Sequence, residues 1–231
     1  IRTEGQKKDL DELLEIEKEL NNKISNSLKN DQVYDEILQE YKKEKNQPKF
    51  PYDAPYPYQV EAYKSWVQNN CKGLFAMATG TGKTLTAINC ILNEWDKEKV
   101  LKNIFVVPGK ELVEQWSEEL KQSNFNSVFK WYSTNSRLKS DIEMLQILKD
   151  SDELNIVITY DSFISDKFQD IFRNELKNFI VVFDEVHELG SPKRKSIVSE
   201  LTFNKVIGLS ATPLRLWDDN DENIFIENLF K

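Results

Sequence analysis

The chain is poor in the residues from which many small sites are built. Its 231 residues include two cysteines, Cys71 and Cys90, and one histidine, His187. The cysteines form no C-x-x-C pair and His187 is remote from both, so no zinc-type spacing is present. Small buried thiols in a reducing compartment are the expectation for both. Long apolar runs are lacking too. No stretch approaches the roughly 18 residues that span a bilayer, and no charged-then-apolar leader opens the chain. These absences point away from a membrane and toward a cytoplasmic protein. The chain opens on Ile1 rather than Met, so upstream sequence is expected. Positive charge is not in excess either: the net charge is −8. That weighs against a globally basic nucleic-acid binder but leaves room for a local basic groove. There is no internal repeat and no low-complexity tract.

What is present divides into three parts. Residues 1–50 read as a helical appendage or linker. "DLDELLEIEKELNNKISNSLKN" sets Leu10, Leu13, Leu14, Leu20, Ile24 and Leu28 near helical spacing. Asp31 is placed to cap a second helix carrying Val33, Ile37, Leu38 and Tyr41. The pair fits a hairpin on the main domain or a linker to an upstream domain; the repeat is short and interrupted for a coiled coil. "QPKFPYDAPYPYQ" then packs four prolines into an extended connector, which puts a boundary near residue 50.

Residues 51–217 alternate between apolar runs and helical stretches. The runs are "GLFAMA", "NIFVVP", "NIVITY", "FIVVFDE" and "KVIGLSA", apolar enough to be strands buried on both faces. Helices are expected over 83–96, 109–122, 137–149, 166–177 and 193–202. This alternation predicts an α/β fold, a mostly parallel sheet flanked by helices, with ligands beyond the carboxyl ends of the strands. Residues 218–231 form an acidic, then apolar segment expected to lead to a second domain absent from this chain.

The chemistry lies just past the strand ends. In "GLFAMATGTGKT", Gly82, Lys83 and Thr84 match the end of the phosphate-loop pattern, while Met77 stands where its first glycine belongs. Gly80 and Gly82 let backbone N–H groups turn toward an anion. Lys83 adds charge at a helix N-terminus that already favours phosphate, and the Thr84 hydroxyl suits Mg²⁺. The expected nucleotide-contacting set is Thr79, Gly80, Thr81, Gly82, Lys83 and Thr84. "FIVVFDEVH" delivers Asp184 and Glu185 to a strand end. One acid would hold the metal ion and the other would orient the attacking water.

"ATGTGKT" together with "DEVH" resembles a superfamily 2 helicase or translocase of the DExH type. Loops of that family commonly read A-x-x-G-x-G-K-T, so Met77 is no departure. Further matches follow in order: "PYPYQVEAYKSW" is similar to the Q-motif region, "VVPGKELVEQW" to motif Ia, "ITYDSF" to motif Ib and "GLSATP" to motif III. The combination looks most like the type III restriction subunit and excision-repair helicase group.

The resemblance implies a first RecA-like domain that binds ATP and Mg²⁺. It implies catalytic roles for Glu185, Asp184 and Lys83, and an adenine contact for Gln59. It also implies coupling roles for His187, Ser210 and Thr212. Nucleic acid, with DNA favoured over RNA but both open, would lie on Pro108, Gly109, Lys110, Thr159 and Ser162. The expected partners are that nucleic acid, a second RecA-like domain and a nuclease or methylase. The Tyr56–Pro57–Tyr58 cluster fits either adenine stacking or packing, and "PKRK" fits either a solvated turn or a phosphate contact. No second phosphate-domain pattern follows residue 216, and Arg215 is wrongly placed for a transition-state arginine. The alternatives are another P-loop ATPase, such as an AAA+ protein or small-molecule kinase, and a nucleotide-dependent scaffold in a restriction or repair complex.

Overall fold

The structure, a computed structural model, describes residues 47–133, 142, 145, 151–212 and 222–231. The helices expected within residues 1–46 and the position of Arg215 lie outside these residues. So does the helix expected over 137–149, apart from Ile142 and Leu145, which are helical and buried. The elements below all belong to the unit Pro48–Lys231.

The strands are β1 (Lys72–Ala76), β2 (Leu101–Val107), β3 (Val128–Trp131), β4 (Glu153–Thr159), β5 (Ile180–Asp184) and β6 (Lys205–Ser210). They form a six-stranded sheet in the order β1-β6-β5-β2-β4-β3, with every pairing parallel. Five of these strands match the expected apolar runs. β3 does not: its "VFKW" is short, carries Lys130 and is mostly half-buried, as an edge strand paired only with β4 can be.

Alternation along the central strands builds two cores. Phe105, Val107, Val182, Ile207 and Leu209 face one side. There they meet α1 (Pro57–Gln68), α2 (Lys83–Glu98) and α3 (Lys110–Gln122) through Trp66, Ile88, Ile91, Val113 and Leu120. Ile104, Val106, Val181, Phe183 and Val206 face the other side. They pack on α4 (Tyr160–Phe163), α5 (Asp166–Phe172), α6 (Pro192–Val198) and α7 (Glu222–Leu229). Two expected helices are shorter than read. The 166–177 stretch ends at Phe172 and resumes as a 3₁₀ turn, Leu176–Asn178; the 193–202 stretch ends at Val198.

The end of the chain packs on the domain. Ile226 and Phe230 are buried in the second core, and the Asn69 side chain donates to the Phe230 carbonyl at 3.1 Å. Gly208 makes room for this anchor. A Cβ there would fall 2.7 Å from Phe230 Cζ and 2.9 Å from Leu74 Cδ1. Gly208→Ala is therefore expected to destabilise the domain by about 1–3 kcal/mol through overpacking. Thermal melts of Gly208→Ala, Phe230→Ala and the double variant check this: shrinking Phe230 should reduce the penalty of the added methyl group, and strict additivity would rule out the clash.

Candidate nucleotide site

The topology sorts the motifs. β1, β6 and β5 are neighbours, and their carboxyl ends carry the glycine loop, the "SAT" turn and the Asp184–Glu185 pair. β2 and β4 are also neighbours, and theirs carry Pro108–Gly109–Lys110 and Thr159–Ser162.

The loop between β1 and α2 turns at Gly80 (φ +76°) and Gly82 (φ +83°), while Met77 keeps ordinary backbone and donates its N–H to the Ser210 carbonyl at 3.0 Å. The turn is thus made without a glycine at 77. A side chain at Gly82 would be strained by its left-handed φ and crowded by Gln59 Nε2 at 3.1 Å. Tyr58 braces the loop by donating its hydroxyl to the Thr81 carbonyl at 2.7 Å. The Thr81 hydroxyl in turn donates to the Ala78 carbonyl at 2.7 Å.

Lys83, the first residue of α2, points at the acids. Its Nζ donates to Glu185 Oε1 at 2.8 Å, with the two side chains 12% and 26% exposed. Ser210 donates its hydroxyl to Glu185 Oε2 at 3.4 Å and accepts from the Thr212 N–H at 3.1 Å. His187 Nδ1 lies 3.6 Å from Glu185 Oε2. The three residues expected to couple therefore gather, directly or through Ser210, around one carboxylate. Glu185 itself has left-handed backbone (φ +52°, ψ +62°). For a non-glycine residue that costs of order 1–3 kcal/mol and is held only by its surroundings.

Asp184 ends β5 almost buried, at 8% exposure. Its Oδ2 accepts from Trp116 Nε1 at 2.9 Å and its Oδ1 from the Glu185 N–H at 3.0 Å. Burial, with the Glu185 charge adding to it, pushes the Asp184 carboxyl above its ordinary range. The Trp116 N–H, Lys83 and the Glu185 backbone N–H oppose that shift.

Two cavities flank the loop. One of about 510 Å³ is lined by Thr79, Gly80, Gly82, Lys83, Thr84 and Asp184, with Gln115 and Glu119 of α3 opposite. The other, of about 660 Å³, is lined by Tyr52, Tyr56, Tyr58, Gln59, Gly80 and Thr81 among others. The rings of Tyr56 and Tyr58 stack there with centroids 5.6 Å apart. Both tyrosines are exposed. Gln59 differs from expectation. Its side chain is fully buried, its Oε1 accepts from the Tyr56 N–H at 2.9 Å and its Nε2 donates to the Gly82 carbonyl at 3.4 Å. In this arrangement the amide ties α1 to the glycine loop, and it must turn to meet an adenine edge.

The strand-end loops after β2 and β4 are simpler. Gly109 caps α3 with extended backbone, and Lys110 is exposed beside Glu111. The Thr159 hydroxyl donates to Ser162 Oγ at 3.0 Å. Of "PKRK", Arg194 follows neither expected reading. Only 16% of its side chain is exposed, and it pairs with Asp161 and Glu188 while lying 5.0 Å over the Tyr160 ring. Trp116 and Tyr160 were not singled out in the sequence; each is apolar enough to read as plain core.

Residues 53–215 match the family described as "Type III restriction enzyme, res subunit". The chain belongs to this family. It is an α/β domain of the RecA-like class found in superfamily 2 helicases. Among named proteins, it is 31% identical over 173 residues to "DNA 3'-5' translocase XPB2" of Sulfurisphaera tokodaii, covering 73% of this chain and 32% of that protein. A protein of African swine fever virus (isolate Pig/Kenya/KEN-50/1950), provisionally named an ATP-dependent RNA helicase, is 30% identical over 146 residues. That match covers 63% of this chain and 26% of the viral protein. The chain thus spans a quarter to a third of these relatives. In fold it resembles the Sulfolobus solfataricus SWI2/SNF2 ATPase core in complex with dsDNA, with a TM-score of 0.58 at 20% identity over 80% of this chain and 37% of that one. Family members use nucleotide. Among the described residues, no helix is long and apolar enough to cross a membrane.

Proposed function

We propose that this chain is the first motor domain of an ATP-dependent translocase or helicase acting on DNA. Residues 51–217 would form the ATP-binding domain, residues 1–50 an appendage, and a second RecA-like domain outside this segment would close on the nucleotide. The carrying observation is that Lys83, Thr84 and Asp184 line one cavity beside a helix N-terminus, with Glu185 held against Lys83.

The residues present suit a magnesium ion. Thr84 and Asp184 supply hard oxygen ligands in that shared cavity, and no cluster of three His, Cys, Asp or Glu able to hold a metal occurs among the described residues. A metal held by two side chains and completed by phosphates and water matches magnesium's habits. When bound, the ion would neutralise charge on the β- and γ-phosphates. Lys83 has its own task at the phosphates, and reaching them means leaving Glu185. That exchange frees Glu185 Oε1 to orient water. Stacked Tyr56 and Tyr58 provide an aromatic wall for the base in the adjoining cavity. Ser210, Thr212 and His187 sit where a change at Glu185 would be felt. Nucleic acid would cross Pro108, Gly109, Lys110, Thr159 and Ser162, held by its phosphates.

The experiment is ATP binding and hydrolysis by the 231-residue chain, with and without Mg²⁺ and with DNA or RNA. Weak, Mg²⁺-dependent binding and slow turnover are expected, because a transition-state arginine from a second domain can be worth roughly 10³–10⁵ in rate. Brisk turnover would show that no second domain is required, and no nucleotide binding at all would overturn the reading. In the full-length protein, affinity for DNA should fall steeply and linearly on a log–log plot as salt rises, with little dependence on sequence. A flat salt response would contradict phosphate-based contact.

A further inference from the structure

We propose that Trp116 is a positioning residue for the metal-holding carboxylate of Asp184. This rests on the reading above that Asp184 holds the magnesium ion. Trp116 lies on α3, 2% exposed, with its ring against Phe105 at a centroid distance of 5.0 Å. An indole is a donor only, and a buried one needs an acceptor. Trp66, the comparable buried tryptophan of the same core, uses a backbone carbonyl, that of Val206, at 2.9 Å. Trp116 instead gives its N–H to Asp184 Oδ2 at 2.9 Å.

That bond has consequences for the carboxylate. With Oδ1 accepting from the Glu185 N–H at 3.0 Å, both oxygens are fixed and the plane of the group is set. Each carboxylate oxygen still has a second acceptor direction for a metal or its water. The main chain is fixed as well, because the buried Tyr160 hydroxyl donates to the Asp184 carbonyl at 2.9 Å. Trp116 and Tyr160 come from α3 and α4, the helices that follow β2 and β4. The carboxylate is therefore held from the half of the sheet that carries the proposed nucleic-acid loops. Without the indole N–H, a buried charge loses a charge-assisted bond and its orientation together. Substrate contact is not part of this role; Trp116 acts through Asp184.

The test compares ADP binding by the 231-residue chain as wild type, Trp116→Phe and Asp184→Asn, each with Mg²⁺ and with EDTA. Trp116→Phe keeps a ring on Phe105 and removes only the donor end. It should weaken Mg²⁺-dependent ADP binding about 10-fold or more and leave binding in EDTA within about twofold. Asp184→Asn should abolish the Mg²⁺-dependent gain. If Asp184→Asn loses that gain and Trp116→Phe keeps it, Trp116 is packing and the inference falls alone. If neither loses it, the reading of Asp184 as metal holder falls, and the inference with it. Should Trp116→Phe fail to fold, the wild-type indole ¹H–¹⁵N resonance of Trp116, assigned through an indole-labelled sample, decides. It should move when Mg²⁺ is added to the ADP-bound chain and stay still in Asp184→Asn. A resonance indifferent to Mg²⁺ in the wild type would overturn the proposal.

Discussion

Glu185→Gln in the full-length protein is expected to lower nucleic-acid-stimulated kcat by about 10²–10⁴-fold, the usual range for a positioned acid–base group. KM for ATP should stay level or fall. The split follows from the ion pair. Glu185 Oε1 holds Lys83 at 2.8 Å in the structure, so a phosphate must compete with that carboxylate for the lysine. A neutral amide competes less, and binding is preserved or tightened while water loses its orienting group. Folding should change little. Gln takes the same left-handed backbone that Glu185 adopts, and the pair it weakens is partly exposed. Steady-state phosphate release and equilibrium ATP binding on the same preparations check this. Wild-type turnover by the variant would end the water-orienting role.

Lys83→Ala should fail differently, losing binding as well as turnover. The ammonium stands at the first residue of α2 and lines the cavity with Thr84 and Asp184. A hydrogen bond to a charged group is worth about 1.5–3 kcal/mol, so ATP affinity is expected to drop roughly 10–100-fold. Hydrolysis should drop further, because the same charge meets the transferring phosphoryl group. Arg should not rescue it, since a planar fork does not replace a point charge in a loop shaped by Gly80 and Gly82. Because Lys83 and Glu185 touch, the double variant should show much less than the product of the two kcat losses. Nucleotide binding by Lys83→Ala equal to wild type would remove the lysine from the site.

The sequence was most legible where the chain is most regular. Continuous apolar runs announced β2, β4, β5 and β6, because strands covered on both faces leave no room for polar alternation; β1, an edge strand that is only half-buried, carried such a run all the same. β3 escaped because an edge strand of four residues with Lys130 in it has no such signature. Helix lengths were misjudged at two C-terminal ends, where one helix stops at Phe172 before a 3₁₀ turn and another at Val198. Met77 was read correctly, since the two glycines that carry positive φ are the ones the pattern "TGTG" singles out.

Residue types at fixed offsets were enough to name the family, the fold and the loop's glycines. Local spacing encodes them: a strand, a turn that only glycine makes easily, and a helix N-terminus are neighbours along the chain. Pairings across the fold were not available in this way. That Lys83 rests on Glu185, that Gln59 grips Gly82, that half-buried Arg194 pairs with Asp161 and Glu188, and that Trp116 spends its N–H on Asp184 all join residues from separate elements. Trp116 and Asp184 lie 68 positions apart in the chain. They meet because β2 and β5 are neighbours in the sheet and α3 follows β2, so that a buried donor and a buried carboxylate satisfy each other.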